Sequence, residues 1–159
     1  MKKLKIILIL FLLLTCRSNL LSSEFKLLIN YLEGEHSKDS WTKETTITID
    51  DRAYSYGFTS SGHLKGKDEN KNGVLTKEQF DKIKSYILDN NLLVNDSLFD
   101  KDEKYKAFER FTNIVITIYQ DTSSTTIKMN GDIQNFENKT LYKNSMGLIN
   151  LVINFIKGE

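Results

Sequence analysis

Thr45-Thr46-Ile47-Thr48-Ile49-Asp50-Asp51-Arg52-Ala53-Tyr54-Ser55-Tyr56-Gly57-Phe58 is two alternating runs around an acidic break. In the first run Ile47 and Ile49 alternate with threonines, the β-branched signature of a half-buried strand. In the second, Tyr54, Tyr56 and Phe58 recur at period two and therefore share one strand face. Asp50-Asp51 supplies the residue type that tolerates a tight turn. The stretch predicts a β-hairpin, with the three aromatics facing a core in preference to forming an exposed recognition stripe.

Upstream, Phe25 to Leu32 fits two periods. Phe25, Leu27, Ile29 and Tyr31 alternate as on a strand, whereas Phe25, Leu28, Ile29 and Leu32 fit a helical face; the strand is preferred. Downstream, Thr59 to Gly73 is rich in Gly, Ser and charge and reads as a surface loop or a frayed hairpin extension. Thr76-Lys77-Glu78-Gln79 has the S/T-x-x-E/Q form of a capping box, so a helix is expected to begin there. Phe80, Ile83, Tyr86 and Ile87 fall on one face of it, and Asn90-Asn91 suits its stop. Asn95 to Arg110 is dense in Asp, Lys and Glu and reads as a solvated connection.

Ile114, Ile116 and Ile118 then alternate with Val115, Thr117 and Tyr119, and beyond Asp121-Thr122-Ser123-Ser124 the run Thr125 to Met129 pairs back as a second hairpin. Leu148, Ile149, Leu151, Val152, Phe155 and Ile156 close the chain as a buried helical stripe. The order is strand, hairpin, helix, hairpin, helix. It predicts an α+β fold, an antiparallel sheet of about five strands with two helices on one face, forming a single domain over residues 25–159.

Before that domain, Met1-Lys2-Lys3-Leu4-Lys5 is cationic and the apolar run Ile6 to Leu14 follows it, ending at Thr15-Cys16-Arg17-Ser18. This is a signal-peptide layout, and the run falls well short of the roughly 20 residues of a membrane-spanning helix. Leu13-Leu14-Thr15-Cys16 resembles the lipobox of bacterial lipoproteins, with Thr15 where Gly, Ala or Ser is usual. The resemblance implies a signal peptide over 1–15, lipidation of Cys16 and a tether over 16–24. It also implies a membrane-held envelope protein, and the absence of Asp at position 17 favours the outer membrane. Cleavage after Ser18, leaving an ordinary secreted protein, is the competing reading.

Cys16 is the only cysteine, so no internal disulfide is available. Loss of Lys2, Lys3 and Lys5 with the leader leaves 19 basic against 21 acidic residues, a net charge of −2. The lysines alternate with acids and form no basic stripe, which argues against a nucleic-acid partner.

The sharpest local motif runs from Asp68 to Gln79 and resembles an EF-hand calcium loop. Asp68, Asn70 and Asn72 take its first three side-chain positions, Gly73 its turn and Gln79 its last ligand position. That last position lacks the bidentate Glu, and Gly57, Gly62 and Gly66 stand where an entering helix belongs. A polar turn feeding a capped helix explains the same residues without metal. His36 and His63 lie in separate polar segments without further ligands at metal spacing. Ser60-Ser61-Gly62-His63 lacks a nucleophile elbow, and Asp50-Asp51 and Asp100/Asp102 read as turn and loop acids rather than catalytic pairs.

From Phe25 to Ile156 the arrangement is similar to small bacterial envelope domains of the emfourin-like group. The matching residues are Ile47-Thr48-Ile49-Asp50, Tyr54, Leu75-Thr76-Lys77-Glu78-Gln79-Phe80 and Ile83. The group includes an inhibitor of a thermolysin-like metalloprotease. The expectation is a non-enzymatic binding or inhibitor-like module, without cofactor, held at the membrane by its lipid and engaging a protein partner. The alternative is a weak calcium-binding domain using Asp68, Asn70, Asn72 and Gln79.

Overall fold

A computed structural model describes residues 24–35, 39–63, 65–99, 110–131, 136 and 138–158. The leader, Cys16, the tether up to residue 23 and His36 lie outside these residues. So do Asp100 and Asp102.

Strand β1 (Phe25–Glu35) is central. It pairs antiparallel with β2 (Trp41–Asp50) on one side and β6 (Arg110–Gln120) on the other. Outside β2 lie β3 (Ala53–Gly62) and β4 (Glu69–Val74); outside β6 lie β7 (Ser123–Gly131) and β5 (Asp96–Phe99). The seven strands form one sheet in the order β4-β3-β2-β1-β6-β7-β5, and β5 runs parallel to β7.

This corrects the expected architecture of about five antiparallel strands: the sheet has seven and is mixed. Both extra strands come from segments too polar to show a buried period. Glu69–Val74 lies within the stretch expected to loop or fray, yet it pairs with β3 from Phe58↔Glu69 to Ala53↔Val74. As an edge strand it presents mostly exposed side chains, and the backbone ladder is its main tie to the sheet. Asp96–Phe99 belongs to the expected solvated connection, yet it pairs along Ile127 to Asn130. The Asn95 side chain fixes its entry by accepting from the Thr126 backbone N–H at 2.7 Å.

The two-residue turns of the β2–β3 and β6–β7 hairpins place Asp51 and Asp121 at φ of 52° and 49°. Asp tolerates this left-handed region through local hydrogen bonding. Their amides donate to the Phe25 and Glu24 carbonyls at 2.9 and 3.2 Å, which joins both hairpins to the start of β1.

Alternation along the strands builds one apolar face. A row of Tyr56, Ile47, Ile29, Ile116 and Ile127 crosses five strands in register, and every member is buried. Helix α1 (Lys77–Asp89) covers that face with Phe80, Ile83 and Ile87. Its capping box is formed: Gln79 N–H donates to Thr76 Oγ1 at 3.1 Å, and Thr76 N–H donates to Gln79 Oε1 at 2.9 Å. Helix α2 (Lys139–Lys157) adds Leu141, Leu148, Ile149, Val152 and Ile156, and ends at Gly158 in the left-handed conformation. Phe25 meets Phe80 edge-on at 5.4 Å, locking α1 to β1.

The helices approach each other at Gly147, where a Cβ would stand 2.0 Å from the Tyr86 hydroxyl and 3.0 Å from its ring carbon. Alanine there gains about 1 kcal/mol of helix propensity, but overpacking costs about 1–3 kcal/mol and prevails. Gly147→Ala is therefore expected to destabilise the domain in denaturant titration. In a Tyr86→Phe background the loss should shrink or reverse, and an unchanged loss would show that Tyr86 is not what Gly147 accommodates.

Candidate functional site

Because side chains alternate, the strands that build the core also present a second face. Both helices lie on the first, and among the described residues no helix or strand packs on the second. Its centre is laid down by β1 and β6. Leu28 stands opposite Thr117, Leu32 opposite Asn113, Val115 opposite Asn30, Tyr119 opposite Lys26 and Phe111 opposite Gly34. Every apolar residue thus faces a polar residue or glycine directly and meets its apolar neighbours on the diagonal, at about 7–8 Å.

The result is a zigzag ridge, Phe111–Leu32–Val115–Leu28–Tyr119. From Phe111 to Tyr119 it extends about 27 Å at strand rise. Leu28, Leu32, Phe111 and Val115 are half-buried and Tyr119 is 39% exposed. The Phe111 ring lies over Gly34, where a Cβ would come within 2.5 Å of it, so the glycine lets the ring lie flat on the sheet.

Hydroxyls and amides flank the ridge: Thr42, Thr46 and Thr48 on β2, Ser55, Thr59 and Ser61 on β3, and Thr126 and Asn130 on β7. Thr42 and Ser61 share a hydrogen bond at 2.6 Å, and Thr117 and Thr126 share one at 3.3 Å. Among the described strand residues, four charged residues stand on this face. Lys26 and Asp50 pair at 3.2 Å, Glu44 accepts from the Asn30 amide at 3.2 Å, and Lys128 is the fourth. Among these residues two cations balance two anions.

At the far end of the core face lies a charged and aromatic cluster. Trp41 donates to Glu35 at 3.2 Å, and Arg110 approaches the same carboxylate at 3.5 Å. Lys43 stands 5.2 Å from the Trp41 ring centre and 4.0 Å from Glu33, to which the Tyr31 hydroxyl also donates. Burial pushes the Tyr31 phenol far above the ordinary tyrosine range, and Glu33, as acceptor and as a neighbouring negative charge, pushes it further. Tyr142 is raised by burial and by Glu33, and Tyr56 is raised by burial against the opposing Lys157 ammonium. Tyr31, Trp41, Lys43 and Arg110 thus each engage Glu33 or Glu35, and the cluster closes this end of the core.

The residues singled out for calcium are dispersed. Asn70 and Asn72 lie two apart on extended β4, Asp68 Oδ1 accepts from Ser60 N–H at 3.3 Å, and Gln79 is engaged in the helix cap. Gly73, placed at the turn of the expected loop, is a strand residue beneath the Tyr54 ring, whose atoms stand 2.7–2.8 Å from where its Cβ would be. No group of three or more His, Cys, Asp and Glu gathers for a metal among the described residues.

Ser60 and Ser61, being adjacent on a strand, point to opposite faces, and each hydroxyl is engaged, Ser60 with Gly66 N–H at 2.7 Å and Ser61 with Thr42. His63 is exposed at the end of β3. Tyr56 is buried, while Tyr54 and Phe58 pack partly buried against the core, so the aromatic stripe belongs to the interior. The ridge was missed because the isoleucines of β6 dominate its period. Its signal was the apolar residues out of phase with them, Val115 and Tyr119, matched by Leu28 and Leu32 out of phase with Leu27 and Ile29.

No helix among the described residues is long and apolar enough to cross a membrane. The chain matches no known family model and no curated protein sequence.

The raised phenols have a consequence for stability. Unfolded tyrosine ionises near 10.0, whereas the folded chain holds Tyr31 neutral beyond that pH. Above it the unfolded state binds fewer protons than the native state, so stability, full below pH 10, declines as pH rises further. Denaturant midpoints measured from pH 9 upward should fall, and Tyr31→Phe should remove the largest share of the slope. An identical slope in the variant would assign the effect elsewhere.

Proposed function

We propose that this chain is a lipid-anchored envelope protein whose domain is a non-catalytic binding module, and that the sheet face on which no described helix or strand packs is its binding surface. The observation that carries the reading is the apolar ridge on a sheet whose core is already complete on the other side. The strip is half-buried along most of its length, is exposed at Tyr119 and is rimmed by polar groups, an arrangement that suits an interaction surface. Its breadth and flatness suit adhesion to a partner better than enclosure of a small molecule.

The anchor rests on the residues before the fold. The cationic start, the apolar run and Leu13 upstream of the single cysteine support lipidation of Cys16 and retention at the envelope, with the outer membrane favoured. Multiple acyl chains, each buried CH₂ contributing about 0.8 kcal/mol, hold such a domain stably at the bilayer. A tether over residues 16–24 then joins the lipid to the domain.

Mass spectrometry of the membrane-extracted protein is expected to find a lipid-modified Cys16 as the first residue. An unmodified Cys16, or a chain starting at Asn19, would remove the anchor from the proposal. For the face, Val115→Glu sets a charge in the middle of the ridge at a stability cost of about 1 kcal/mol or less. Full-length protein carrying it should lose the envelope material that wild type retains. Unchanged retention would move the binding surface elsewhere.

A further inference from the structure

We infer that β4 is a self-association edge: two copies of this chain pair antiparallel through Asn70 to Val74 and continue the sheet across a two-fold axis. The inference stands on the edge itself and not on the proposed use of the ridge.

One bond sets the phase of β4. Leu75 N–H donates to the Arg52 carbonyl at 2.8 Å, so these two residues form a hydrogen-bonded pair of the antiparallel ladder. Bonded pairs alternate with non-bonded ones, which turns the amides and carbonyls of Gly73, Lys71 and Glu69 towards Tyr54, Tyr56 and Phe58. Those of Asn70, Asn72 and Val74 therefore point the other way, out of the sheet. β4 ends the strand order, and among the described residues no strand pairs with that side. Asn70, Asn72 and Val74 are exposed, and Val74, at 68%, is the most exposed large apolar side chain among the described residues.

Such an edge is a template for another strand, and proteins commonly guard it with proline or lysine. β4 has no proline, and its guard is Lys71. The partner that this guard admits is the chain itself. A two-fold pairing that joins the outward groups sets even-numbered residues opposite even-numbered ones, and only two such registers keep most of β4 paired. Other shifts run the partner into the Gly66 turn or the Thr76 helix cap. In the first register Lys71 stands opposite Lys71, and like charges directly opposed destabilise a ladder. In the second, Asn72 stands opposite Asn72, Asn70 opposite Val74 and Lys71 opposite Gly73. This second register closes about six main-chain hydrogen bonds against about four. It also brings each lysine beside the Tyr54 ring, which covers Gly73 where a side chain would stand, so the ammonium meets an aromatic ring in place of a repelling cation. Glu69, which pairs with Lys157 at 3.8 Å, lies beyond the paired stretch. A ladder this short makes a weak, concentration-dependent dimer. Its axis stands perpendicular to the sheet, so both helical layers lie on one side and both ridges on the other.

Disulfide trapping reads the register in full-length protein, held in detergent with micelles in excess over chains. Trapping is scored over the unsubstituted chain, whose single Cys16 sets the background. Opposed Cα atoms in a hydrogen-bonded pair stand about 5.5 Å apart, within the span of a disulfide. Asn72→Cys should therefore cross-link to its own copy on oxidation. Asn70→Cys and Val74→Cys, each about 13 Å along the strand from its own copy, should give about tenfold less dimer alone and recover it when mixed. Equal trapping at all three positions means random collision and overturns the inference. Stronger trapping at Lys71→Cys than at Asn72→Cys overturns it in favour of the register with opposed lysines.

Asn72→Pro separates the edge from the fold. An edge strand tolerates proline where the lost N–H faced solvent, so thermal unfolding should stay near that of the unsubstituted chain, whereas Lys71→Pro, whose N–H faces β3, should unfold early. Sedimentation equilibrium in density-matched detergent should show mass rising with concentration for the unsubstituted chain and a monomer throughout for Asn72→Pro. A monomer at every concentration in the unsubstituted chain overturns the inference and leaves the edge to an extended segment of another protein. Asn72→Pro as unstable as Lys71→Pro also overturns it, because the outward side of β4 would then be bonded within its own chain.

Discussion

Every other element takes its place from the double pairing of β1. Phe25–Glu35 forms ladders with β2 along Lys26 to Glu35 and with β6 along its whole length. A strand held on both sides has one register, and a slip of one residue would turn Leu27 and Ile29 to water and Leu28 and Asn30 into the core. The choice propagates outward. Ile29 fixes Ile47 and Ile116 as neighbours, and through them Tyr56 and Ile127. The amides of Asp51 and Asp121 close on the first carbonyls of this strand, so the two hairpins are registered to it by their turns as well as by their side chains.

Where the sequence speaks through burial, it was legible. The isoleucines of β2 and β6, the aromatics of β3 and the capping box at Thr76 each announce their element, because one-sided burial and an unsatisfied helix end leave a residue pattern behind. Both edge strands were opaque for the complementary reason. The inner face of β4 is occupied by residues from elsewhere: Tyr54 lies across Gly73, and Lys157 reaches Glu69 at 3.8 Å while standing 5.8 Å from the Tyr56 ring. An edge strand covered by its neighbour's aromatics needs no apolar period of its own. The parallel pairing of β5 depends on β7, some thirty residues further on, and no local pattern encodes that distance.

The calcium-like stretch shows how one residue set serves different physics. Asn and Gly suit a metal loop because they are small and polar, and they suit an edge strand for the same reason. What separates the two outcomes is the chain on either side. With β3 already extended to Gly62, the return strand finds backbone partners from Phe58 to Ala53, and Gln79 finds the Thr76 amide. Polar side chains there satisfy the rim of a sheet and the start of a helix.

The ridge on the outer face raises the question whether sheet stability alone accounts for it. Diagonal cross-strand contacts contribute about 0.2–1 kcal/mol each, and threonine or valine throughout would give comparable pairing with better strand propensity than leucine. Leu28 and Leu32 are therefore not what strand propensity selects, and Tyr119 leaves 39% of its surface in water, so the ridge is incompletely buried by its own sheet. The Phe111 ring reaches its position only because Gly34 gives up a side chain, at an intrinsic strand cost of about 0.5–1 kcal/mol. A glycine that lets an aromatic ring lie flat, beside leucines that strand formation does not require, is the feature that the proposed use of this face draws on.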